Sequence, residues 1–205
     1  MNIFQMKTKP HGMERFQQFW DEGFICIGWP GLGNLENVTK DELSERISST
    51  YGSSGHKLGN ALGQINSFIN TMQNGDIVIV CERDTAYFAT VGEYKYVSDF
   101  DNESDGMCHR RSVQWLGKLP IKNLNASVQK LLANRNVICK YPNSYEESGL
   151  DQMFPTLPPV HKQDRTRFDK LFEEALTILE EELKSDDSDR RLKAATELIR
   201  LKRGV

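Results

Sequence analysis

The chain has 205 residues and a formal net charge of −3, with 26 Lys and Arg set against 29 Asp and Glu. That length supplies one good core and a small appendage, and the charge excludes bulk electrostatic attraction to a polyanion, which needs a basic face; any nucleic-acid contact must be local. With no run of about eighteen apolar residues and no charged-then-apolar leader, the sequence predicts a soluble, cytoplasmic protein without membrane contact.

In chain order, Asn2 to Lys7 reads as a strand, Met13, Phe16, Phe19 and Trp20 fall at helical spacing, and Phe24 to Gly28 reads as a second strand stopped by Pro30-Gly31. Thr39-x-x-Glu42 is a capping box that predicts a helix over about Lys40 to Ser48. After the polar loop at Gly52–Lys57, a helix is expected from about Leu58 to Met72, with Leu62, Ile65, Phe68, Ile69 and Met72 on one face. Gly75-Asp76 opens a turn into the β-branched run Ile77–Val80, which predicts a buried strand. Strand-like runs follow at Tyr87–Thr90, at the turn-and-strand VGEYKY (Val91–Tyr96) and at His109–Leu116, with Asp99–Gly106 as a solvated loop. Pro120–Ala133 contains a short helix and Asn136–Tyr141 a last strand. These elements make residues 1–142 a barrel domain, 143–163 a proline-rich linker or wrapping segment, and 164–205 a helical hairpin. In the hairpin, apolar residues from Phe168 to Leu183 and from Leu192 to Ile199 recur at three and four around the acidic break Ser185–Asp189.

The chemistry-bearing residues are few. Cys26, Cys81, Cys108 and Cys139 are scattered, three of them inside apolar runs, as small buried hydrophobes are. His11, His56, His109 and His161 have no partners at metal-ligand spacing, and no nucleophile motif or phosphate-binding loop occurs, so no metal, cofactor or catalytic set is expected. Asp76 with Glu93-x-Lys95 has the skeleton of a metal-dependent nuclease, but Asp76 sits in a turn and Glu93 beside a glycine, which disfavours that use. Trp29, at the end of a strand and before Pro30-Gly31, is placed to present its ring at a barrel mouth, where stacking on a base is worth about 1–3 kcal/mol. Tyr94 and Tyr96, two apart on one strand, share a face, either to complete an aromatic cage or to pack beneath a helix. His109, Arg110 and Arg111 form a dense basic cluster, and Lys7 with Lys9 a second, either of which would contact phosphates. Trp115, in an apolar strand, reads as a core residue.

The ordered set of IGW (Ile27–Trp29), the Gln64–Met72 helix leading into Gly75-Asp76 and an apolar strand, VGEYKY, H-x-R-x-V-x-W-L (His109–Leu116) and Leu119-Pro120 resembles the EVE, YTH and PUA-like superfamily of nucleic-acid readers. It is most similar to the N-terminal sensor domain of Mrr-type restriction proteins, with no nuclease domain following. The resemblance implies an EVE/PUA-like α+β barrel and a non-enzymatic reader of DNA carrying a modified base, RNA being the alternative nucleic acid, in which Trp29 walls the base pocket, in a setting of restriction, defence or phage. A reading from another class is an adaptor whose barrel holds no ligand and whose tail, residues 164–203, docks a partner nuclease, a packaging component or a second copy.

Overall fold

A computed structural model of the chain describes residues 1–154 and 175–203. It divides into two compact units, Met1–Leu157 and Pro158–Val205. The first is a mixed α+β unit built on a curled, half-barrel sheet of six strands in the order β2-β5-β4-β3-β1-β6. The strands are β1 (Ile3–Met6), β2 (Phe24–Ile27), β3 (Ile77–Glu82), β4 (Thr85–Tyr96), β5 (His109–Pro120) and β6 (Ile138–Lys140). Only β1 and β3 run parallel.

The sheet does not close. β2 and β6 are its two edges, whereas the sequence reading has a barrel. Both are short, four and three residues, so neither has the reach to pair across the gap. Curl comes instead from β4 and β5, twelve residues each, whose pairing slips between Phe88 and Ala89 and again between Val91 and Tyr94. The expected turn in VGEYKY is therefore a bulged bend inside one long strand. The tight turn lies earlier, at Arg83-Asp84, with Arg83 at φ 52°.

Each face of the sheet carries its own core, and residues alternate between them. Phe4, Met6, Val78 and Val80 pack on one side; Ile3, Ile77 and Ile79 pack on the other. Along β4, Ala86 and Phe88 serve the second core and Ala89 and Val91 the first, by the same alternation. The first core is covered by α1 (Phe16–Glu22), α2 (Lys40–Tyr51) and α3 (Gly55–Asn66), which runs on into a π turn at Ser67–Thr71. The capping box at the start of α2 is made as expected: the Glu42 amide donates to the Thr39 hydroxyl at 3.3 Å and the Thr39 amide to the Glu42 carboxylate at 2.8 Å. The second core is covered by α4 (Ala126–Leu132) and the short α5 (Leu150–Met153), through Val128, Leu131, Leu132 and Leu150. Residues 143–154 wrap this face rather than leave it, with Phe154 5.1 Å from the Phe88 ring. In the second unit, residues 175–182 form a helix (α6), a turn follows at 183–187, and Ser188–Arg203 form α7. The start of the hairpin's first stripe, Phe168, Leu171 and Phe172, lies outside the described residues.

Candidate functional site

The gap between the sheet's edges holds a pocket of about 270 Å³ lined by Lys9, Pro10, His11, Gly12, Ile27, Gly28, Trp29, Tyr51, Gln64 and Val137. Its walls come from the segments just past β1 and β2, the end of α2, one turn of α3 and the residue before β6. The size is below the ~300–1,000 Å³ of drug-sized sites, on the scale of one small planar group. Trp29 is half-buried and meets the Tyr51 ring edge-on, with centroids 5.3 Å apart and planes at 87°. The Tyr51 hydroxyl donates to the Pro30 carbonyl, and burial pushes its pKa up to about 12, so it remains a neutral donor.

Two of the four non-glycine residues with positive φ among the described residues line this pocket: His11 at φ 50° and Trp29 at φ 74°. A bulky residue in that region is strained by about 1–3 kcal/mol and persists only where its surroundings impose it. The surroundings do so here. A Cβ on Gly28 would sit 2.9 Å from the His11 nitrogen, and one on Gly106 would sit 2.4 Å from the His11 Cβ, so both glycines exist to let His11 lie against them. His11 Nε2 is 3.0 Å from the Glu103 carboxylate, which fixes the ring at the pocket rim.

The loop that carries Trp29 is pinned from below. Asp101 accepts from the Gly31 amide at 2.6 Å and from the Tyr96 hydroxyl at 2.5 Å. Burial alone would raise the Asp101 carboxyl, but the hydrogen bonds from Tyr96, Gly31 and Cys108 outweigh it and hold its pKa below the usual carboxylate value. The Tyr94 oxygen accepts from the Leu35 amide at 3.2 Å and lies 2.9 Å from His109 Nδ1. Nδ1 of His109 is thus paired with the Tyr94 hydroxyl, while its Nε2 is buried without a hydrogen-bond partner among the described residues. His109 is fully buried, and that burial lowers its pKa from 6.5 to about 4.

The residues singled out from the sequence thus divide. Trp29 lines the pocket, as does Lys9. Tyr94 and Tyr96 share a face with His109, their rings 6.1 and 5.8 Å from it; neither lines the Trp29 pocket, and their hydroxyls bond Leu35 and Asp101 instead. His109, expected at phosphate, is a neutral buried support. Arg111, also expected at phosphate, is 5% exposed and donates to the carbonyls of Phe68, Ile69, Met72 and Gly92 at 2.8–3.0 Å, neutralising the end of the α3 and π-turn segment. Arg110 lies between the Phe24 and Phe100 rings, 4.3 and 4.1 Å from their centroids, and its Nε donates to the Met107 carbonyl. The cluster is drawn inward because β5 packs against the π turn and the 98–107 segment, which take donors of Arg111 and the Nε of Arg110, whose Nη1 lies 3.9 Å from the Glu22 carboxylate. Lys7 sits beside the pocket, its amide on the Val137 carbonyl at 2.9 Å and its ammonium 3.4 Å from the Leu132 carbonyl. Trp115 packs against Trp20 at 5.0 Å, away from the pocket lining.

Asp76 is buried and spent on structure, accepting from the Asn2 and Gln73 amides at 2.8 and 2.9 Å, while exposed Glu93 faces Asn74. Among the described residues no group of three or more His, Cys, Asp or Glu side chains is gathered as for a metal ion. Tyr51, His11 and Gln64 are the pocket residues that the sequence did not disclose. The one signal was His11 between Pro10 and Gly12, a turn context in which a histidine at positive φ is tolerated.

A search of curated proteins returns no match. Residues 4–138, which include the whole pocket lining and all of the sheet but Ile3, Cys139 and Lys140, match the model of a family described as a domain of unknown function, DUF8426. With about two thirds of its length in that match, the chain is a member of the DUF8426 family.

Proposed function

We propose that this protein is a non-enzymatic nucleic-acid reader of EVE/PUA-like architecture that takes a single base, modified in its preferred DNA target, into the Trp29 pocket. The observation that carries the reading is the pocket itself: an open site of about 270 Å³ in the gap of a curled sheet, walled by two aromatic rings at right angles and bordered by His11 and Trp29 at positive φ. Trp29 offers a face for stacking, the Tyr51 edge closes one side, and the Gln64 amide and His11 ring supply the donors and acceptors that read a base edge. A near-neutral chain needs this kind of site, because stacking and pocket hydrogen bonds must supply the affinity that a basic surface would otherwise give.

The test is Trp29→Ala beside Trp29→Phe, assayed on duplexes that differ only in one methylated or hydroxymethylated base. The Ala variant is expected to lose the preference for the modified duplex while melting within about 2 kcal/mol of the wild type, since a half-buried ring at a rim contributes less than a core ring. The Phe variant should recover part of the preference. Unfolding of the Ala variant would make Trp29 a core residue and end the pocket assignment.

The adaptor reading retains one supporting observation. Ile178, Leu192 and Ile199 of the second unit are 59, 68 and 52% exposed, more apolar surface than a finished helix pair leaves uncovered.

A further inference from the structure

Of the arginines that the sequence offered for phosphate, Arg111 is consumed by four carbonyls and Arg110 lies between two rings, and neither lines the Trp29 pocket, so a nucleic acid entering that pocket needs its backbone held elsewhere. We propose that it is held by a basic edge made of α4, the 133–137 turn and β6, with Lys130, Arg135 and Lys140 as the phosphate contacts. The inference rests on the reader assignment of the pocket.

Residues 121–145 contain Lys122, Lys130, Arg135 and Lys140 and no Asp or Glu, in a chain whose net charge is −3. All four are exposed, and among the described residues none of them takes part in an ion pair. A groove of about 500 Å³ opens between α4 and β6, lined in part by Ser127, Lys130, Asn134, Lys140 and Asn143. Its polar lining is hydroxyl, amide and ammonium, donors suited to phosphate and sugar oxygens, with no carboxylate to repel them. Lys140 stands on an edge strand whose outer side pairs with nothing among the described residues.

The edge is continuous with the base pocket. Val137 lines the pocket and leads directly into β6, Lys7 bridges from β1 to Val137 and Leu132, and Lys9 stands on the pocket rim. From Val137 to Lys140 the strand advances about 10 Å, which is about three nucleotide steps along one strand. On the pocket's other flank the loop bearing Asp99, Asp101, Glu103 and Asp105 meets His11. Anionic on one side and cationic on the other, the pocket has a polarity that directs a backbone over β6 and away from the 99–105 loop.

The test compares the wild type, Trp29→Ala and the triple variant Lys130→Gln/Arg135→Gln/Lys140→Gln, all full-length, on matched duplexes with and without the modified base from 50 to 200 mM NaCl. Because the three side chains are exposed, the triple variant should melt with the wild type. It is expected to bind both duplexes about tenfold more weakly at 50 mM, with the slope of log K against log salt lowered by about 2–3 and the preference for the modified base unchanged. Trp29→Ala should do the reverse, keeping the slope and losing the preference. A triple variant with the wild-type slope overturns the basic edge and leaves the pocket standing; a wild type that binds both duplexes equally but salt-dependently overturns the pocket and leaves the edge. Wild-type binding to poly-glutamate, abolished by the triple substitution, without duplex binding at 50 mM would assign the edge to an acidic protein segment and overturn the proposal.

Discussion

Arg111 shows how one side chain's destination redirects a functional reading. Written beside His109 and Arg110 it looks like a phosphate grip, because charge in sequence carries no information about which way a strand faces. In the fold it is a polar bolt between β5 and the end of the α3 segment, its guanidinium satisfied by four backbone carbonyls. Replacing it with Ala leaves those carbonyls without a donor in a dry site, at a cost of about 3 kcal/mol or more. Denaturant unfolding should therefore show Arg111→Ala severely destabilised, while Lys130→Gln is unchanged. Equal stability of the two would put Arg111 back at the surface. Trp29 was legible for the opposite reason: a strand end, a glycine and a Pro-Gly stop together fix where a chain turns outward.

At the scale of elements, what rests on local chemistry was readable. The capping box placed α2, the β-branched run placed β3, and the spacing of Ile65, Phe68, Ile69 and Met72 gave the buried face of α3 and its π turn. What rests on pairing between distant strands was not. The bend in VGEYKY is a slip of β4 against β5, visible only once His109 is known to oppose Tyr96. The Asp99–Gly106 segment reads as a solvated loop because it is acidic, yet its Asp101 is the hydrogen-bond post for the Trp29 loop. That loop also carries a pH dependence. His109 has its pKa lowered by burial from 6.5 to about 4, so between these values the unfolded chain binds a proton that the folded chain refuses. The stability contributed by a neutral His109 is full above pH 6.5 and is lost as pH falls toward 4, by up to about 3 kcal/mol. Asp101, with its lowered pKa, acts in the same direction at still lower pH. Thermal melts of the wild type and His109→Gln from pH 7.5 to 4.5 check this: the wild type should lose stability more steeply, and parallel curves would contradict a buried neutral histidine.

The whole molecule is a sheet-based unit with a helical tail, and its boundary lies beyond the last strand because Leu150 and Phe154 return to seal the second core. A chain ending at Val160 should fold with the melting temperature of the full protein. One ending at Pro142 discards those side chains and Tyr145 and should lose about 4 kcal/mol or more. Calorimetry of the two chains decides it; equal stability would show that the 143–154 segment seals nothing, and an insoluble 1–160 chain that the tail belongs to the core. The apolar residues exposed on α6 and α7 predict self-association or partner docking by the full chain, and light scattering that finds it strictly monomeric would refute the self-association part.

The most direct measurement is an equilibrium titration of the full-length protein against two otherwise identical duplexes, one carrying a single modified base, at physiological salt. The pocket predicts tighter binding of the modified duplex, with quenching of indole emission that disappears in Trp29→Ala. Equal or absent binding across methylated and hydroxymethylated bases would contradict it.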